Sequence, residues 1–102
     1  MITAVVQFPL PAGVTRAEAA ALFQGSAPKY RGLPGLVRKY YLFGDGVGGG
    51  GYLWKSREDA ERVYDAAWRM MIRERYGADP SIAYFDTPVV VDNTTGEISA
   101  DA

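Results

Sequence analysis

Between residues 36 and 55, two runs of strand-forming residues flank a stretch dense in glycine, and this limits the fold more than any other segment. Leu36–Phe43 is rich in aromatic and branched side chains, which suit a pleated surface. Gly44–Gly51 follows, and Tyr52–Lys55 resumes the strand composition. Two strands about a Gly-rich connection read as a β-hairpin, with Gly44–Gly51 as its flexible tip. Alternation places Leu36, Arg38, Tyr40 and Leu42 on one face and Val37, Lys39, Tyr41 and Phe43 on the other. Neither face is cleanly polar, so both sides of this strand are expected to meet protein.

Helical segments lie on either side of the hairpin. Thr15 and Glu18 have the spacing of a capping box, in which each side chain satisfies a free N–H at a helix start. The alanine-rich stretch through Phe23 continues that helix, and Gly25–Pro28 ends it. Ser56 opens a second helix, with acids in its first turn and Arg69, Arg73 and Arg75 towards its end, as the helix dipole favours. Its apolar stripe runs through Ala60, Val63, Tyr64, Ala67, Trp68, Met70 and Met71. Ile2–Phe8 is a first strand ended by Pro9 and Pro11. Ser81–Val91 is a last strand, whose second half Pro88 places at an edge. The order β-α-β-β-α-β with right-handed crossovers predicts an α+β, ferredoxin-like fold: a four-stranded antiparallel sheet with two helices on one face. Helices cover only one side of such a sheet, so a second copy of the chain is expected on the other, making a homodimer.

At 102 residues the chain has room for one domain. Residues 1–91 would form it, and residues 92–102 a turn and tail. Net charge is −1, which gives no sign of nucleic-acid binding. Cysteine and histidine do not occur. Disulfides, thiolate nucleophiles, zinc–thiolate sites and the commonest metal ligand are therefore excluded, together with the usual general base near neutral pH. The start of the chain has no basic segment followed by a long apolar run, and no stretch approaches the ~20 apolar residues that span a bilayer. The expected location is cytoplasmic, with no membrane partner.

Leu33, Pro34 and Gly35 before a strand, then Tyr52, Trp54, Ser56 and the run Glu58–Glu61, resemble the dimeric α+β barrel proteins of the antibiotic-biosynthesis-monooxygenase superfamily. The ending Phe85, Asp86, Pro88 is similar to that of the YdhR-type members. The likeness runs from Ile2 to Val91. It implies a dimeric barrel with a ligand cavity between sheet and helices in each subunit. It also implies oxidation of polycyclic phenols by molecular oxygen without metal or flavin, the bound substrate anion supplying the electron. Trp54 matches the superfamily's tryptophan at the end of the third strand. A histidine common on the following helix falls at Tyr64, which speaks against haem-degrading and chlorite-type members.

The residues themselves leave two readings of the aromatic group open. Tyr41, Tyr52, Trp54 and Trp68, with Met71 as an adaptable wall, either line a slot for a planar aromatic ligand or fill a core short of Leu and Ile. Arg38 and Lys39 point to opposite faces. Either one stabilises a substrate oxyanion, or both pair with Glu58, Asp59 or Asp86. Tyr64 would act as acid or base only beside a cation, and Asp86 is the best carboxylate candidate. Gly44, Gly46 and Gly49 spell a literal G-x-G-x-x-G, but a strand follows rather than the helix a dinucleotide site requires. Three function classes result: a cofactor-independent monooxygenase acting on a bulky phenol- or polyketide-like molecule, a non-catalytic binder of such molecules, and a dimeric interaction protein with a filled core.

Overall fold

The computed structural model describes residues 1–101. It contains β1 (Ile2–Pro9), α1 (Arg16–Ser26), β2 (Leu36–Gly44), β3 (Val47–Trp54), α2 (Arg57–Val63), α3 (Ala66–Tyr76), β4 (Ser81–Asp86), β5 (Val89–Asp92) and β6 (Glu97–Ala100). One turn of 3-10 helix, Ala27–Tyr30, extends α1. The main sheet is antiparallel in the order β2-β3-β1-β4, and the helices lie against one face, as the ferredoxin-like reading requires. The Thr15–Glu18 capping box is formed in full, and Ser56 caps α2.

Side chains on the inner face of the sheet meet the helices in a core dominated by aromatic rings. Ala4, Val6 and Phe8 of β1 and Tyr52 and Trp54 of β3 are buried against Ala19 and Phe23 of α1 and against Trp68, Ile72 and Tyr76 of α3. Full burial of a side chain the size of Phe8 or Ile72 contributes about 1.5–3 kcal/mol. Phe8 stacks on Tyr76 with centroids 4.3 Å apart, and Phe23 on Tyr41 at 4.9 Å.

Three elements depart from expectation. The Gly-rich stretch is not a hairpin tip. The reversal is Asp45 and Gly46 alone, with Gly46 at φ 72°, and Gly48–Gly51 lie within β3, hydrogen-bonded between β1 and β2. The neighbours account for this. A Cβ at Gly50 would lie 2.9 Å from the Tyr52 ring and 3.0 Å from the Tyr40 carbonyl oxygen, and one at Gly49 would collide with the Val6 carbonyl oxygen.

The second helix breaks in two. Tyr64 leaves helical geometry at ψ 50°, and the Asp65 carboxylate accepts the Trp68 N–H to cap a new helix, α3. Inward-facing residues keep a spacing of four across the break, through Ala60, Tyr64, Trp68, Ile72 and Tyr76. Ala67 and Met70, expected in the apolar stripe, are exposed.

The last strand also divides at Pro88. Thr87 and Pro88 leave the sheet, and β5 pairs with β6 in a separate hairpin. Arg38–Asp92, Thr3–Thr87 and the chain's amino terminus with Asp101 tie this arm to the body. The radius of gyration is 14.3 Å, above the roughly 13 Å of a compact chain this long, as a projecting arm produces.

The glycines of β3 generate a paired prediction. Gly49→Ala drives a methyl group into backbone that cannot yield, and should cost at least about 2 kcal/mol. A Cβ at Gly51 meets nothing within 4 Å, so Gly51→Ala should be neutral or stabilising by about 0.5–1 kcal/mol. Urea unfolding of the two variants checks this, and equal losses would refute it.

Candidate active site

The site begins with a bulge. The pairing of β2 with β3 shifts between Leu36 and Arg38, leaving Val37 as an extra residue. Leu36 consequently packs on the core alongside Lys39 and Tyr41, while Arg38, Tyr40 and Leu42 take the outer face. Strict alternation would have grouped Leu36 with Arg38. Lys39 lies directly opposite Tyr52, both facing the helices.

Three aromatic rings surround the Lys39 ammonium. Its Nζ lies 3.5 Å from the ring centre of Tyr30, 3.7 Å from that of Tyr41 and 4.6 Å from that of Tyr52. Ring faces attract a cation, more strongly where water is excluded. Lys39 takes part in none of the ion pairs among the described residues. Burial, with Lys29 nearby as the second cause, pushes its pKa down to about 7. A substantial fraction is therefore neutral amine at physiological pH, able to take a proton.

Hydrogen bonds hold the cage in place. The Tyr30 hydroxyl accepts the Trp68 Nε1–H at 3.0 Å, which fixes the 3-10 turn against α3. The Tyr41 hydroxyl bonds to Ser26 at 2.6 Å, and the Ser26 hydroxyl lies 3.1 Å from the Phe23 carbonyl oxygen, on which it bonds. The Tyr64 hydroxyl accepts the Trp54 Nε1–H at 3.0 Å. Burial raises the Tyr64 phenol pKa, with the Trp54 hydrogen bond acting in the opposite direction, and burial raises that of Tyr52 as well. Both phenols keep their protons at neutral pH, which leaves Lys39 as the base of this cluster.

The candidates from the sequence are thus divided. Lys39, Tyr41, Tyr52 and Met71 converge on a small cavity of about 10 Å³, room for one water. Trp54, fully buried, and Tyr64 and Trp68, nearly so, occupy the adjoining layer, where they pack and hydrogen-bond as core. Arg38 sits on the opposite face of the sheet and pairs with Asp92 at 2.7 Å, not with Glu58, Asp59 or Asp86. Asp59 pairs instead with Arg62. Asp86 is exposed at the end of β4, the far edge of the sheet from β2. Sequence reasoning missed Tyr30, Phe23 and Ser26. Pro28 in the first turn of the 3-10 segment was the available sign that the chain tightens there and turns Tyr30 inward.

The larger openings lie outside the core. Along the unpaired edge of β2, one cleft of about 500 Å³ runs between α1 and Tyr41–Phe43. A second, of about 510 Å³, is bounded by the 3-10 turn and by Leu36–Lys39, and reaches Tyr30, Lys39 and Tyr41. Among the described residues no group of three or more acidic side chains converges as metal ligands do. No helix among them is long and apolar enough to cross a membrane.

No protein-family model matches the chain, and no curated protein matches it significantly. Solved structures do. A variant of SnoaB, a cofactor-independent oxygenase from Streptomyces nogalater, superposes with a TM-score of 0.61 at 16% identity, covering 84% of this chain and 91% of that one. The monooxygenase from the gene ActVA-Orf6 of Streptomyces coelicolor, in complex with Nanaomycin D, gives 0.64 at 18% identity, covering 84% and 86%. A proposed antibiotic biosynthesis monooxygenase from Deinococcus radiodurans gives 0.67 at 12% identity, covering 90% and 97%. These likenesses show that the chain shares the fold of such proteins.

The low pKa of Lys39 has a consequence for stability. Unfolding returns the amine to its ordinary value of 10.5, so between pH ~7 and ~10.5 the unfolded chain binds more protons and stability rises with pH. Lys39→Met removes this dependence. Its melting temperature relative to the parent protein should be highest near pH 6 and fall steadily by pH 9. A pH-independent difference in thermal unfolding would show that Lys39 is not perturbed.

Proposed function

We propose that the chain is a cofactor-independent monooxygenase of a bulky planar phenol, with Lys39 as its general base. One observation carries the reading: a partly buried amine with no carboxylate partner among the described residues, walled by Tyr30, Tyr41 and Tyr52 and reached from an open cleft. The 10 Å³ cavity is too small for an aromatic ring, so the substrate lies in the cleft along β2 with its hydroxyl towards Nζ. Neutral Lys39 takes the phenolic proton, and the ammonium that results remains beside the phenolate. The electron-rich anion reduces molecular oxygen. One oxygen atom becomes a ring carbonyl, the phenolate oxygen becomes the second carbonyl of a quinone, and the other oxygen atom leaves as water with the hydrogen of the oxidised ring carbon and the proton held by Lys39. The shared fold with SnoaB and the ActVA-Orf6 protein supports this reading.

A homodimer is part of the same proposal. Tyr40, Leu42 and Phe85 on the outer face of the sheet, and Val89, Val91 and Ile98 on the β5–β6 arm, expose apolar surface that a second copy would cover. Light scattering should give twice the 11.1 kDa chain mass, and the chain mass itself would exclude the dimer.

Oxygen uptake with an anthrone as substrate tests the activity. The rate should rise with pH through about 7 as Lys39 loses its proton. Lys39→Met should lower kcat by roughly 100-fold or more and abolish that limb of the pH profile. Saturable anthrone binding without oxygen uptake would assign the site to ligand binding alone.

A further inference from the structure

The cleft that reaches Lys39 has a one-sided charge. Arg31, Arg38 and Lys39 line it, and no Asp or Glu does. Lys29, on the same 3-10 turn as Tyr30, lies close enough to depress the Lys39 pKa. The whole chain carries a net charge of −1, so this concentration of cations is a local arrangement and not a product of composition.

The cations are not equivalent. Asp92 neutralises Arg38, and the tyrosine cage encloses Lys39. Arg31 has neither kind of partner: it is exposed and joins none of the ion pairs among the described residues. Its place is set by the fold. It follows the 3-10 turn directly, and its N–H bonds back to the Pro28 carbonyl oxygen at 3.3 Å. The turn that brings Tyr30 over Lys39 therefore also puts Arg31 on the rim of the same cleft.

We infer that the substrate of this site is an aromatic acid, whose carboxylate is held at the rim by Arg31 while its phenol faces Lys39. The inference rests on the reading of Lys39 as the site's base and deepens it by naming the substrate class. A guanidinium suits the task because its planar fork meets both oxygens of a carboxylate. Lys29 strengthens the local field without lining the cleft. An aromatic acid also matches the two chemistries of the walls, ring faces at Tyr30 and Tyr41 and unpaired positive charge beyond them.

Calorimetric titration under nitrogen isolates binding from turnover. Three probes are compared: 3-hydroxy-2-naphthoate, its methyl ester and 2-naphthol. The acid should bind roughly two- to fivefold more tightly than the ester, the range expected of an exposed charge pair, and the preference should shrink between 50 and 500 mM salt. Arg31→Gln should remove the preference and leave 2-naphthol affinity within about twofold, since the neutral probe makes no charge pair with Arg31. Equal binding of acid and ester, a parallel loss for all three probes in the variant, or no binding by any of them would overturn the inference. Preferential binding of the acid with no oxygen uptake on admitting air would retain it and remove the monooxygenase reading.

Discussion

A central strand without side chains at four successive positions leaves a space that only large neighbours can fill, and the interior of this protein is organised around that space. Gly48–Gly51 of β3 are paired on both sides, so the sheet is continuous there, but its inner surface is bare at Gly48 and Gly50. Phe8, Tyr52 and the Lys39 stem lie against this surface within 3.3 Å of where a Cβ would be. Close packing makes the two features interdependent: rings without the glycines would clash, and glycines without the rings would leave voids.

The same packing makes the chemistry of Lys39. An amine among ring faces with no carboxylate loses its hydration and receives only partial compensation from the π clouds. Its pKa falls to about 7 as a result. Arg38, its neighbour in the chain, lies on the other face, meets Asp92 and keeps its charge. Adjacent residues on one strand thus have opposite electrostatic fates, decided by which side of the sheet each faces. Trp54 and Trp68 serve this arrangement indirectly. Trp68 holds Tyr30 in the wall and Trp54 holds Tyr64 in the layer behind it, so both indole N–H groups are satisfied within the core.

Much of the frame was legible in the residues. The Thr15–Glu18 box, the Ser56 cap and the order of elements follow from local chemistry acting over three or four residues, and that order implies helices on one side of the sheet. Each unforeseen feature comes from competition between local preferences and packing. Glycines that read as a flexible tip are held extended by partners on both sides. A helix that read as continuous is interrupted because the Asp65 carboxylate competes for a backbone N–H. The bulge at Val37 inverts the facing of Leu36, and nothing in the run Leu36–Phe43 marks it. Within the candidate site, Lys39, Tyr41, Tyr52 and Met71 were legible as residue types suited to an aromatic ligand, whereas Tyr30 and Arg31 were not, since their roles come from a tightened turn.

What the sequence by itself determined was the fold class and the chemical repertoire. Strand and helix signals in alternation permit few topologies, and in a chain without histidine or cysteine any acid–base chemistry must come from Lys, Arg, Tyr and the carboxylates. Which of these is stripped of its hydration and loses charge near neutral pH was decided only by tertiary structure. A side chain's pKa depends on everything packed around it, and the groups around Lys39 come from the 3-10 turn, β2 and β3. Their convergence belongs to the folded chain, because desolvation and ring-face contacts act across space and leave no mark on neighbouring positions in the sequence.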